Sequence, residues 1–130
     1  MNFASILRTL VDEGGCGLGA ALMGSDGIAI EQVEATRLPE AFAGDAAALR
    51  DEIGAIGVEF GRILDETRKA ADSVGAGAVE ELVVRTARFW VVVRAIDDDT
   101  FVTVVLAPDA NVGKARFLVR RFEFALREQL

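Results

Sequence analysis

The sequence has no histidine and no tyrosine, one cysteine, and two prolines in 130 residues. Without histidine the chain lacks the usual general base, the Ser-His and Cys-His nucleophile pairs, and the commonest metal ligand. A single cysteine, Cys16, excludes an internal disulfide and any cluster of cysteine metal ligands. No apolar run approaches the roughly 20 residues of a membrane-spanning helix. The N-terminus MNFASILRTLVDEGG has no basic leader region or cleavage pattern. These absences are those expected of a cytoplasmic protein with no membrane span.

What is present is 52% apolar and 27% charged, the balance of a globular domain, and the length suits one domain over residues 1–130. Net charge is −7, unevenly spread. Residues 111–130 carry Lys114, Arg116, Arg120, Arg121 and Arg127 against Glu123 and Glu128, a net +3, so the other 110 residues carry −10. An acidic body argues against nucleic acid as a partner.

Phe3, Ile6, Leu7, Leu10 and Val11 follow helical spacing, with Asn2 or Ser5 as the cap. Leu18–Met23 and Ile28–Val33 read as strands around Gly24-Ser25-Asp26-Gly27, where Asp-Gly predicts a type I′ hairpin turn. Residues 34–44 lack periodicity and contain Pro39, so they read as a connection, with Ala41 and Phe42 expected against the core. Asp45 caps a long helix in which Leu49, Ile53, Ile56, Phe60, Ile63, Thr67, Ala70 and Val74 form a heptad-like stripe. Its span is about 45 Å at 1.5 Å per residue. Gly75 and Gly77 end it.

Three strands follow: Val79–Arg85, Phe89–Ile96 and Thr100–Ala107, joined at Thr86-Ala87-Arg88 and Asp97-Asp98-Asp99. Val112, Ala115, Leu118, Val119, Phe122 and Leu126 stripe a final helix. Phe117 and Phe124, seven residues apart, share a face that is read as core. The order α-β-β-α-β-β-β-α, with a last strand apolar on both faces, predicts an α+β three-layer sandwich. Its sheet is five-stranded and largely antiparallel. The long helix covers one face and the terminal helices the other.

The motifs that suggest chemistry have simpler readings. Gly15-Cys16-Gly17 with Ala20 fits a dinucleotide fingerprint, but a helix precedes it and a strand follows, the reverse of a phosphate loop. Gly113-Lys114 lacks both the first glycine and the Ser or Thr of a P-loop. Glu80 and Glu81 point to opposite faces of a strand. Asp97, Asp98 and Asp99 lack the ligand spacing of a calcium loop, and Cys16 has no basic neighbour to activate it. Neither an enzyme nor a cofactor is expected.

Gly54, Gly57 and Gly61 each follow a stripe residue by one position and form a flat strip on the long helix. Each costs about 1 kcal/mol in helix propensity against alanine. Close packing is therefore expected there, either with a second subunit or GTPase, or with the chain's own sheet.

The hairpin turn GSDGIAI after a short helix, the long helix behind it, and the element order together resemble the roadblock, or dynein light chain, family, which includes bacterial regulators of Ras-like GTPases. The resemblance implies a homodimer in which the strand after the long helix, with Leu82, Val83 and Val84, pairs with its twin at a sheet edge. It implies a non-enzymatic adaptor or regulator in a small Ras-like GTPase pathway of bacterial cell polarity or motility. Its partner is the GTPase itself or another roadblock-family regulator. GTPase-activating relatives carry a tail beyond the last helix, whereas this sequence stops at Leu130, and its run from Pro108 to Arg116 is closer to the adaptor type. The alternatives are a co-activator of GTP hydrolysis without its own arginine finger, and a small-molecule-binding module. Candidate partner contacts are Arg50, Glu59, Arg62, Asp65 and Arg68 on the long helix and Arg116, Arg120 and Arg127 on the last.

Overall fold

The computed structural model describes residues 2–37 and 45–130. Its elements are α1 (Phe3–Glu13), β1 (Gly17–Gly24), β2 (Ala29–Glu34), α2 (Ala46–Ser73), β3 (Glu81–Arg85), β4 (Trp90–Ala95), β5 (Thr100–Leu106) and α3 (Val112–Gln129). The order α-β-β-α-β-β-β-α is the expected one. The expected core contacts of Ala41 and Phe42 lie outside the described residues.

Local chemistry sets the boundaries. The Asn2 side chain accepts from Ser5 N–H at 2.8 Å while Ser5 Oγ accepts from Asn2 N–H at 3.1 Å, a reciprocal cap that starts α1. Asp45 Oδ1 accepts from Ala48 N–H and starts α2. Between β1 and β2 the turn differs from expectation. Gly27 has φ +85° and Asp26 does not have positive φ, whereas a type I′ turn needs it at both central residues. Gly27 N–H instead donates to Gly24 O, Asp26 Oδ1 accepts from Ile28 N–H, and the ladder shifts register between Leu22 and Met23. This is a turn through Ser25 and Asp26 closed by a left-handed glycine, and the aspartate earns its place by holding the following amide.

The strands form one antiparallel sheet in the order β2-β1-β5-β4-β3. The α2 crossing carries the chain from one edge, β2, to the other, β3. On one face α1 and α3 bury Ile6, Leu7, Leu10, Leu118, Val119 and Leu126 against Leu22, Val92, Val102, Val104 and Leu106. On the other, α2 buries Leu49, Ile53 and Leu64 with Ala21, Met23, Val91, Val93, Phe101 and Val105. Each fully buried Leu or Ile contributes about 1.5–3 kcal/mol relative to exposure. The central strand β5 is buried on both faces along its whole length, as its apolar sequence requires.

The expected stripe of α2 does not stay on the sheet. Leu49, Ile53 and Ile56 are buried, Phe60 is half-buried, and Ile63 and Val74 are 41% and 76% exposed. The buried line passes instead through Gly57 and Gly61 to Leu64, and no residue of α2 after Leu64 is buried. Similarly, Phe117 and Phe124 are exposed rather than core. At 100° per residue they lie about 160–180° from Ala115 and Leu126 and about 100–120° from Leu118, the residues that meet the sheet.

Candidate interaction surfaces

The glycine strip meets the chain's own sheet. A β-carbon on Gly61 would stand 2.5 Å from Phe101 Cζ, one on Gly57 3.0 Å from Met23 Sδ, and one on Gly54 3.3 Å from Gln32 Oε1. Gly57 and Gly61 are buried by these contacts. At Gly57 and Gly61 close packing is thus met by the chain's own sheet, and these two glycines offer no direct surface to a second subunit. Gly54 is half-buried and meets only Gln32.

The opposite flank of α2 is apolar and only partly covered. Ile56 and Phe60 pack with Leu82 and Phe89 toward the β3 side of the sheet. Ile63, Thr67, Ala70 and Val74 continue the same line at alternating three- and four-residue steps and emerge into solvent or half-burial. β3 lies at the sheet edge beyond them and, among the described residues, pairs on one side only, with β4. Its Leu82, Val83 and Val84 are half-buried, and its outer backbone groups have no strand partner among the described residues. Glu81 and Arg85 bracket it. Such an edge invites pairing with another strand.

The other edge is tied to the body differently. Arg50 Nη1 pairs with Glu34 Oε1 at 3.1 Å, Gln32 Nε2 donates to Arg50 O at 2.7 Å, and Arg8 Nη1 donates to Glu34 O at 2.8 Å. Side chains from two helices thus bracket β2, although Ile28 and Ile30 remain 65% and 45% exposed.

The eight charged candidates do not form one patch, because α2 and α3 lie on opposite faces of the sheet. Arg62 pairs with Glu59 and Arg68 with Asp65 along α2 at 3.4 and 3.7 Å, while Arg50 faces β2. Exposed pairs of this kind contribute little to stability and are available to a partner. On α3, Arg116 donates Nε and Nη2 to Glu81 Oε2 at 3.1 and 2.7 Å. Glu81 raises the Arg116 pKa through this hydrogen bond and its charge. Arg127 donates to Ile96 O at 2.9 Å and sits 3.7 Å from Glu123, which also takes Arg94 at 3.1 Å. These residues lace α3 to β3 and β4. Of the three α3 candidates only Arg120 is outside an ion pair among the described residues.

The acidic turn Asp97-Asp98-Asp99 is a closed hairpin connection. Asp97 accepts from the Thr100 hydroxyl and from Asp99 N–H, and the Thr100 bond above all holds its carboxyl below the usual range. Among the described residues no group of three or more acidic or cysteine side chains is placed to hold a metal ion. Cys16 is exposed in the turn between α1 and β1. A cavity of about 130 Å³ between α2 and β5, lined by Leu18, Leu49, Ile53, Ile56, Phe89 and Val105, has the Glu52–Arg88 pair at 2.9 Å among its walls. No helix among the described residues is long and apolar enough to cross a membrane.

An antiparallel five-stranded sheet with one long crossing helix on one face and two terminal helices on the other is the roadblock arrangement. No protein-family model matches the chain, and no curated protein sequence does. Solved structures do. MglC from Myxococcus xanthus is 25% identical over the whole of both chains, with a TM-score of 0.73. A Roadblock/LC7 domain from Streptomyces avermitilis aligns over 98% of this chain and 97% of its own, 16% identical, TM-score 0.79. The gliding protein MglB from Thermus thermophilus aligns over 96% and 85%, 17% identical, TM-score 0.77. The chain has a roadblock-like fold resembling MglB and MglC.

Proposed function

We propose that this protein is a homodimeric, non-catalytic adaptor in a small Ras-like GTPase pathway serving bacterial cell polarity or motility. The observation that carries the reading is end-to-end likeness to MglC, with MglB, a gliding protein, sharing the same architecture. The partner is the GTPase or another roadblock-family regulator.

The β3 edge and the outer flank of α2 support the dimer reading. A two-fold axis that continues an antiparallel sheet must keep the faces in register, so the paired residue numbers sum to an even value. Centring on Val83 places Glu81 opposite Arg85 of the twin strand and Leu82 opposite Val84. Shifting the centre to Leu82 or Val84 loses the charge pair. The same axis brings both α2 helices to one face of the joined sheet, where Ile63, Thr67, Ala70 and Val74 face the symmetry mate. An isologous interface of this kind closes the edge.

The test is single-turnover GTP hydrolysis by a Ras-like GTPase of the same genome, with and without this protein, run beside a binding assay against that GTPase and against an MglB-type roadblock protein. Binding without acceleration is the expected result. Accelerated hydrolysis would replace the adaptor reading with that of a co-activator. Binding to neither would remove the pathway assignment.

A further inference from the structure

On α3, Phe117 and Phe124 project outward, 53% and 64% exposed, two turns apart. Arg120 and Arg121 stand between them, exposed and outside every ion pair among the described residues. At 100° per residue the four fall within an arc of about 100°. The buried stripe of α3 is on the far side. Arg116 and Arg127, by contrast, are taken up by Glu81, Glu123 and the Ile96 carbonyl. The outward strip thus joins two large exposed aromatics with two guanidiniums that are outside ion pairs. Arg120 has no charged or aromatic partner among the described residues, and Arg121 lies 6.0 Å from the Phe122 ring centroid, a weak exposed contact.

We propose that this strip docks an acidic amphipathic segment of a partner protein, whose apolar side chains lie against Phe117 and Phe124 and whose carboxylates meet Arg120 and Arg121. Charge selects this occupant. The 110 residues outside the basic C-terminal stretch carry −10, so an extended anionic bilayer would be repelled by most of the molecule. A narrow acidic segment meets the cationic strip alone, because charges beyond about 8 Å are largely screened at physiological salt. Guanidinium forks bind carboxylates bidentately, and exposed Phe rings supply the apolar anchors. The strip lies across the sheet from α2, so the inference does not rest on the dimer or on the GTPase pathway.

The probe is a synthetic acidic helix with leucines at helical spacing along one face and glutamates elsewhere. A peptide of the same composition with its leucines scattered is the control. Amide chemical shifts of the labelled full chain should move along Lys114–Glu128 with the patterned peptide, and its affinity should exceed the control's at least tenfold. R120E/R121E and F117S/F124S should each weaken it at least tenfold while leaving the melting temperature within a few degrees, since all four side chains are exposed. Absence of binding, equal binding of the control, or shifts confined to α2 or β3 would overturn the proposal. So would capture by phosphatidylserine vesicles without peptide binding, which would assign the strip to a membrane. Self-association beyond a dimer that R120E/R121E abolishes would assign it to a second copy and equally overturn it.

Discussion

The two flanks of α2 are built from opposite materials and have exchanged the roles their composition suggests. One carries Gly54, Gly57 and Gly61, and it is the flank that lies on the sheet over Met23 and Phe101. The other carries Ile63, Ala70 and Val74, and it leaves the sheet for solvent. Small residues let the helix axis settle low over bulky strand side chains, so the sheet supplies the volume that the helix lacks. The apolar line then has no counterpart beneath it past Phe60. A flank that is apolar without being core is a surface awaiting a partner, and here it borders the open β3 edge.

Substitutions can break this contrast. The largest effect is expected at Gly61. Gly61→Leu drives a side chain into the Phe101 ring and should cost about 3 kcal/mol, lowering the melting temperature by about 10 °C. Even Gly61→Ala should destabilise, since its β-carbon would stand 2.5 Å from a stiff buried ring. Gly57→Ala should be near neutral, because the contact is with flexible Met23 and the helix gains about 1 kcal/mol of propensity. Gly54→Ala should stabilise by about 0.5 kcal/mol or more, facing only the end of Gln32. Thermal melts that ranked the three alanines in any other order would break the account of this flank.

On the opposite flank, Ile63→Ser should change the stability of the subunit by no more than about 0.5 kcal/mol, as exposed positions do. It should weaken self-association severalfold in sedimentation experiments. If Ile63→Ser unfolds the protein without changing assembly, the contrast between flanks fails. A smaller effect is expected at Asp97. Its folded pKa lies below the ordinary 3.8, chiefly through the Thr100 hydroxyl. Its contribution is therefore present above that value and lost as pH falls through the folded value. Melting temperatures of wild type and Asp97→Asn should differ at about pH 5 and converge toward about pH 2. A constant difference across that range would remove the linkage.

Much of the architecture is legible in the chain. Turn residues bound each strand, Asn2 and Asp45 mark helix starts, and a last strand apolar on both faces announces a sheet covered on both sides. The turn at Asp26 is less legible, because Asp-Gly serves several turn types and the choice depends on a register shift at Leu22 and Met23. Periodicity finds a stripe on α2 but cannot say where the helix outruns the sheet. The glycines mark close packing, yet a neighbouring strand and a second subunit demand the same small side chains. Phe117 and Phe124 are recoverable, since helical angles alone place them opposite Ala115 and Leu126. The lacing of Arg116 to Glu81 and Arg94 to Glu123 pairs residues 35 and 29 apart, beyond any local pattern.

Whether the β3 edge pairs with its twin about Val83 is tested most directly by molar mass in solution. Sedimentation equilibrium at micromolar concentration should give twice the chain mass of 13.9 kDa for the wild type. Arg85→Glu, which sets like charges opposite Glu81 of the mate, should weaken the dimer at least tenfold, or about 1.4 kcal/mol. A wild-type mass of one chain, or a dimer indifferent to Arg85→Glu, would contradict it.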